Sequence, residues 1–154
     1  MTSCERQSTR DSRENSLHIV LALTVLAAML LTAPTYAQEG DHGGKLLAYT
    51  AQVDRLNREK RAKRISGVCA SACSVFLGVR RVCVERDAQV WFHAAYEPAS
   101  LRPDPTGTLV MLSYYPRRVR RWAIQTRALE RTSWSAEHML TGEQLIQMGL
   151  SPCR

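Results

Sequence analysis

The sequence predicts a mixed α/β domain that leaves the cytoplasm. Strand-like apolar runs alternate with helix-like segments along residues 45–149, and a turn of small residues at 67–77 joins a strand to a helix. A leader-like segment precedes both features. The length of 154 residues allows one domain.

Residues 1–37 have the features of a secretory signal peptide. Arginines precede an apolar run at 17–31, and small residues lead up to Ala37. We expect cleavage after Ala37, which leaves a periplasmic or secreted chain of residues 38–154. The alternative is an inner-membrane anchor at residues 17–33, although the apolar run is shorter than the ~20 residues that a spanning helix prefers.

Export changes the interpretation of the cysteines. Cys4 lies in the leader, and the four others are Cys69, Cys73, Cys83 and Cys153. An even number in an oxidising compartment predicts two disulfides, with three pairings open. We favour Cys73 with Cys83 and Cys69 with Cys153. Zinc binding by Cys69 and Cys73 is the weaker alternative, because no second close Cys/His pair accompanies them.

The chain is basic, with a formal net charge of +7. Its cations cluster in two runs: Arg55, Arg58, Lys60, Arg61, Lys63 and Arg64, and then Arg117, Arg118, Arg120 and Arg121. A solvated helix face is the preferred explanation. Nucleic acid is not expected as a partner, because no aromatic residues interleave with the charges and the protein is exported. An anionic lipid or cell-wall surface stays open.

The order of elements follows from periodicity and turn residues. We predict helices at 45–60, 71–78, 109–115 and 117–129, strands at 63–69, 81–85 and 89–93, and a loop at 98–107. Thr141 and Gln144 predict a capping box at the start of a last short helix, which ends at Gly149.

Ser71 lies at the centre of the small-residue turn. Gly67 and Ala70 allow a tight bend, and the apolar run from Val75 onward predicts that a helix begins beside the serine. A serine there can direct its hydroxyl into a cleft beside free backbone N–H groups, which suits a developing oxyanion. The simpler alternative is that Ser71 only caps the helix.

Two further positions carry candidate chemistry. His93 ends an apolar strand next to small residues, where an imidazole has access to a cleft. Gly43 and Gly44 precede the first helix, where their backbone can approach a ligand closely, although a flexible linker would have the same composition.

Three stretches together resemble the proteolytic subunit of the Clp protease and its crotonase-like relatives, including signal peptide peptidase A-like serine peptidases. They are 67–72 (GVCASA), 90–93 (VWFH) and 140–150 (LTGEQLIQMGL). The nearest likeness is to small exported Clp-protease-like proteins of proteobacteria, which share the Cys-x-Ser-Ala-Cys turn. The resemblance spans residues 43–150 and implies a crotonase-like fold, a mainly parallel sheet with flanking helices.

The resemblance assigns roles by position. Ser71 resembles the nucleophile and His93 the general base. Glu137 takes the place of the family's aspartate as the orienting acid, with Asp104 as the fallback. The N–H groups of Gly44 and Ala72 would form the oxyanion hole. No cofactor or metal is implied, and the substrate would be a peptide or protein.

The chain also departs from the family. The strands that normally precede the glycine pair are expected to be missing, so the fold would be truncated at its N-terminus. An open sheet edge then favours a homo-oligomer, in which a neighbouring subunit covers the edge. No ATP-driven unfoldase works outside the cytoplasm, so any partner differs from that of the Clp protease.

Three functions follow from these observations. The first is an exported serine peptidase-like hydrolase with a Ser-His-acid arrangement. The second is a catalytically inactive Clp-like module for binding or assembly in the cell envelope. The third is a basic envelope-binding protein in which Ser71 is only a helix cap.

Overall fold

The chain folds into two small sheets with helices packed beside them. The computed structural model describes residues 40–154, so the predicted signal peptide at 1–37 and the alternative anchor at 17–33 lie outside the described residues. The strands are β1 (Gly40–Asp41), β2 (Lys63–Ile65), β3 (Val68–Ala70), β4 (Val82–Val84), β5 (Gln89–Trp91), β6 (Met139–Thr141) and β7 (Ser151–Pro152). The α-helices are α1 (Leu46–Arg58), α2 (Pro105–Tyr114), α3 (Arg117–Gln125) and α4 (Gly142–Gln147), and 3₁₀ helices span Ser71–Gly78 and Ala136–His138.

Most strand pairs are parallel. The first sheet has the order β1-β3-β5-β6, in which only the β5–β6 pair is antiparallel. The second sheet has the order β2-β4-β7, and both of its pairs are parallel. The predicted class, a mixed α/β fold with mainly parallel sheets and flanking helices, is therefore confirmed.

The single strand predicted at 63–69 is wrong. The chain turns at Ser66 and Gly67, where Gly67 adopts a φ of +57°. Only glycine takes this left-handed conformation without steric cost. The turn sends β2 into the second sheet and β3 into the first.

The expectation that no strand precedes the glycine pair is also wrong. Gly40 and Asp41 form β1, which pairs in parallel with Val68 and Cys69 of β3. Within residues 40–154, β1 is one of the two edge strands of the first sheet, and β6 is the other.

The predicted helices are present, with shifted ends. The helix predicted at 109–115 begins earlier, at Pro105, because the Asp104 carboxylate accepts a hydrogen bond from the Gly107 N–H at 2.9 Å and caps it. The predicted buried helix at 71–78 is a 3₁₀ helix. The capping box is confirmed: Thr141 Oγ1 accepts from the Gln144 N–H at 3.2 Å, and Gln144 Oε1 accepts from the Thr141 N–H at 2.8 Å.

The core surrounds the 3₁₀ helix Ser71–Gly78. Phe76 and Leu77 of this helix are almost fully buried, as is Phe92, which follows β5. The Phe92 ring meets Tyr115 and Trp122 edge-on at centroid distances of 5.4 and 5.2 Å. This packing fixes the segment that carries Ser71 at one end of the helix.

The four cysteines form two disulfides, but the favoured pairing is wrong. Cys69 pairs with Cys73 across the turn at a Cα–Cα distance of 5.3 Å. Cys83 pairs with Cys153 at 4.8 Å, because β7 lies beside β4 and delivers the C-terminus to it. All four sulfurs are therefore used in disulfides, which indicates an oxidising, extracytoplasmic compartment. Within residues 40–154, no helix combines the length and the apolar character that a membrane span needs.

Candidate active site

Ser71 follows β3 directly and opens the 3₁₀ helix, as the strand–turn–helix prediction requires. Its φ is +57°, a left-handed conformation that costs a serine on the order of 1 kcal/mol or more. The Ser71 hydroxyl makes no hydrogen bond to a described residue, and the helix has no side-chain cap. The alternative that Ser71 is merely a helix cap is therefore wrong.

The strained turn is held from two sides. The Cys69–Cys73 disulfide closes a short ring around Ser71. Below it, the buried Ser74 hydroxyl donates to the Ser71 carbonyl oxygen at 2.6 Å and lies 2.7 Å from the Tyr115 hydroxyl. A backbone strain that the surroundings maintain in this way is typical of functional sites.

Gly43 lies directly against this turn. A Cβ atom on Gly43 would be 2.7 Å from both the Ala70 carbonyl oxygen and the Ser71 Cβ, and 2.9 Å from the Ala72 nitrogen. Gly43 also has a φ of +82°. Glycine is thus required here both for its conformation and for the closeness of the contact.

Asp41 holds the glycine pair in place, a role that the sequence did not suggest. Its Oδ1 accepts a hydrogen bond from the Gly43 N–H at 2.9 Å and another from the Tyr49 hydroxyl at 2.5 Å. Burial and the Asp41 carboxylate together raise the pKa of Tyr49 to about 12. Tyr49 therefore remains a hydrogen-bond donor at physiological pH.

Two backbone N–H groups near Ser71 have no partner among the described residues. They belong to Gly44 and Ala72, the two positions predicted for an oxyanion hole. The Ala72 N–H is one of the first in its helix, where no intrahelical acceptor exists. Gly44 is exposed, whereas Ala72 is buried.

His93 and Ser71 both follow the C-terminal ends of parallel neighbouring strands, β5 and β3. In the parallel register Ala70, the last residue of β3, pairs with Trp91, the last residue of β5. Ser71 therefore follows the end of β3 directly, and His93 lies two residues beyond the end of β5. Adjacent strands are about 4.8 Å apart. No hydrogen bond joins Ser71 and His93 in this structure, which is common for catalytic pairs without substrate.

The His93 ring is buried and oriented by its own backbone neighbour. Only 2% of the residue is exposed, and Nδ1 lies 2.7 Å from the Ala94 carbonyl oxygen. We assign the proton to Nδ1, because a carbonyl can only accept, and this leaves the Nε2 lone pair free. Burial lowers the pKa of His93, which keeps the imidazole neutral at pH 7.

A short strap covers His93. The strap consists of residues 132–137. Backbone hydrogen bonds hold the residues on either side of it: the Ala94 N–H donates to the Arg131 oxygen at 2.7 Å, and the Phe92 N–H donates to the His138 oxygen at 2.9 Å. Trp134, in the middle of the strap, stacks on His93 at a centroid distance of 6.1 Å.

Trp134 and His42 were not predicted as site residues. Trp134 also stacks on His42 at 5.8 Å, and His42 adjoins Gly43. No local pattern marks either residue, because their contact joins segments that are about ninety positions apart. Together they place aromatic side chains next to Gly43 and His93.

The structure does not bring the predicted acids to His93. Glu137 is exposed, and its carboxylate makes no hydrogen bond to a described residue. Asp104, the fallback, caps α2. The Ala94 carbonyl already occupies Nδ1 of His93, the atom that an orienting carboxylate would contact. The next residue, His138, is buried, and its own Nδ1 has no partner among the described residues.

Among residues 40–154, no cluster of three or more His, Cys, Asp or Glu side chains could hold a metal ion. One groove of about 260 Å³ lies beside the site, between β1 and β2, and the Cys69–Cys73 disulfide forms part of its wall.

Comparison with known proteins identifies no relatives: neither the protein-family models nor the curated proteins include a match to this chain. The crotonase-like family accordingly stays a prediction that depends on the resemblance and on the geometry around Ser71.

Proposed function

We propose that the protein is an exported serine hydrolase of the Clp protease-like, crotonase-like type, which cleaves peptide or protein substrates. The observation that carries the proposal is the left-handed Ser71 at a strand-to-helix turn, beside two unpaired backbone N–H groups. A strained turn of this kind exposes a nucleophile at the edge of a sheet.

In the proposed reaction Ser71 Oγ attacks the substrate carbonyl carbon and gives its proton to Nε2 of His93. The N–H groups of Gly44 and Ala72 donate to the oxyanion of the tetrahedral intermediate. His93 then protonates the departing amine, and an acyl group remains on Ser71. Water, deprotonated by His93, hydrolyses this ester and restores the serine.

The proposal uses a Ser-His pair with a backbone oxygen in place of the acid. A carboxylate in a triad fixes the imidazole tautomer and stabilises its cation. The Ala94 carbonyl oxygen performs the first task, at 2.7 Å from Nδ1. It carries no full negative charge, so it stabilises the cation less, and we expect a slower enzyme than one with a buried carboxylate.

Covalent labelling with a fluorophosphonate tests this proposal. The oxidised, secreted protein should be labelled at Ser71, and Ser71→Ala should abolish the signal. Ser66→Ala is the matched control, because it removes an exposed serine five residues earlier and should leave labelling unchanged. Intact disulfides and a native circular dichroism spectrum establish that each variant is folded.

An inactive Clp-like module for binding or assembly is the second candidate. It is favoured by the strap, which covers His93 and leaves the residue only 2% exposed. Folded, oxidised protein that fails to react with several fluorophosphonates would support this candidate and refute the hydrolase. The edge strand β1 gives either form a surface for a homo-oligomer, which light scattering can test.

The proposed compartment is the periplasm or the extracellular space, reached by cleavage after Ala37. Mass spectrometry of the protein recovered from the producing cell tests this directly. A mature N-terminus at Gln38 supports cleavage, whereas an intact leader supports the anchor at residues 17–33.

A further inference from the structure

Two basic segments that are distant in sequence flank one groove. Arg58, near the end of α1, and Arg80, after the 3₁₀ helix, line the same recess. Arg80 also lines a second and larger groove, as does Pro116, the residue before α3. The fold therefore brings Arg58, Arg80 and the start of α3 to neighbouring recesses.

Several of the side chains that line the larger groove are apolar. Its volume is about 360 Å³, and the side chains that form it include Leu77, Val79, Val82, Tyr114, Met148 and Leu150. None of the groove's lining residues is acidic. Apolar side chains next to exposed arginines suit an amphiphile with a negatively charged head.

The rim cations are not neutralised by the described part of the protein. The ion pairs between residues 40 and 154 use Arg61, Arg64, Arg86 and Arg127. Arg58, Arg80, Arg117 and Arg121 are exposed and take part in none of them. One carboxylate, that of Asp54, lines the recess together with Arg58 and Arg80, and it accepts hydrogen bonds from the Tyr114 hydroxyl at 3.1 and 3.2 Å.

The outer face of α3 adds an apolar anchor to this charge. Arg117, Arg121 and Ile124 recur at the spacing that puts them on one helix face. Ile124 is 61% exposed, although its face is otherwise charged. Arginines with an exposed aliphatic side chain are typical of helices that lie in the headgroup region of a membrane.

We propose that this surface docks the protein on an anionic phospholipid bilayer. The basic groove surface consists of Arg58, Arg80, Arg117, Arg121 and Ile124. The arginines bind headgroup phosphates, and Ile124 enters the interface. Neither the hydrolase proposal nor its failure affects this inference, because no residue of the surface belongs to the candidate active site.

Ser71 and the groove lie at opposite ends of one 3₁₀ helix. Ser71 begins the 3₁₀ helix and Gly78, at the groove, ends it. With a rise of about 2 Å per residue, the two ends are about 14 Å apart. The candidate active site is therefore separate from the proposed docking surface.

Vesicle co-sedimentation tests the proposal. The probes are vesicles of equal parts phosphatidylglycerol and phosphatidylcholine, and vesicles of phosphatidylcholine alone serve as the comparison. The N-terminus of the protein is determined by mass spectrometry, so that any retained leader is known. We expect binding to the anionic vesicles only, which weakens as NaCl is raised. The variant Arg80→Gln/Arg117→Gln should bind roughly 30-fold more weakly, at about 5-fold for each charge removed.

The matched control is Arg102→Gln/Arg131→Gln, which removes the same charge from exposed positions elsewhere. It should bind within about 2-fold of the parent protein. Equal losses in both variants would show a general charge effect and overturn the proposal. Equal binding to both vesicle types, or binding to an anionic cell-wall polymer but not to vesicles, would overturn it as well.

Discussion

Replacing Gly43 with alanine tests the contact on which the candidate active site depends. The added Cβ would lie 2.7 Å from the Ala70 carbonyl oxygen and from the Ser71 Cβ, and 2.9 Å from the Ala72 nitrogen. Two of these neighbours are backbone atoms, which cannot rotate away. The segment that carries Gly43 and Gly44 must therefore move away from the turn.

The size of the effect follows from these distances. Normal contacts between heavy atoms begin near 3.4 Å, so the segment shifts by at least roughly half an ångström. A misplacement of about 1 Å in a catalytic group lowers rates by roughly 100-fold, and the loss of one oxyanion donor costs roughly 100- to 1000-fold. We expect Gly43→Ala to slow fluorophosphonate labelling of Ser71 by about 100-fold.

Variants at two other glycines distinguish the effect of this steric clash from that of backbone strain. Gly149 has a φ of +101° with nothing within 4 Å of its would-be Cβ, so Gly149→Ala introduces strain of about 1–2 kcal/mol without a clash. This should lower Tm by about 4–8 °C and leave labelling unchanged. In Gly44→Ala the added Cβ meets Tyr49 at an ordinary 3.6 Å, so folding should be unaffected. Labelling of Gly43→Ala at the parent rate, with the fold intact, would refute the proposed position of the oxyanion hole.

Three further outcomes are expected. Glu137→Gln should change the labelling rate less than about 3-fold, whereas His93→Gln should lower it by at least about 100-fold, because only the histidine accepts the serine proton. Because burial lowers the pKa of His93, the labelling rate should rise with pH through an inflection below 6.5 and then level off. In the unfolded chain His93 takes up a proton more readily than in the folded chain, so the free energy of unfolding should fall as the pH drops below 6.5. In urea titrations, His93→Gln should reduce this dependence of the unfolding free energy on pH. Replacing Cys83 and Cys153 with serine removes the disulfide that spans a sequence separation of 70, and it should lower the free energy of unfolding in urea by about 4 kcal/mol. Replacing Cys69 and Cys73 with serine opens only the short ring around Ser71 and should lower it by about 2 kcal/mol. Similar losses in the two variants would contradict the chain-entropy explanation.

The short strands β1, β6 and β7 were not predicted. Local patterns in the sequence did predict the helices, the strands at 81–85 and 89–93, the turn at Ser71 and the capping box at Thr141. Each depends on residues within a few positions of one another, where backbone preference and hydrophobic periodicity act directly. The alternation around Val90 and Phe92 likewise placed both residues in the core. The candidate nucleophile and base could be chosen from sequence because each one lies at the end of such a local element.

Only the tertiary structure decided which distant segments meet. It divided residues 63–69 between two sheets, paired Cys83 with Cys153, placed Asp41 on the glycine pair and left Glu137 in solvent. It also placed Trp134 beside His93 and brought Arg58 and Arg80 to one recess. These outcomes depend on strand order and on the path of the chain between elements, which residue spacing does not encode, because one local pattern is compatible with several arrangements in space.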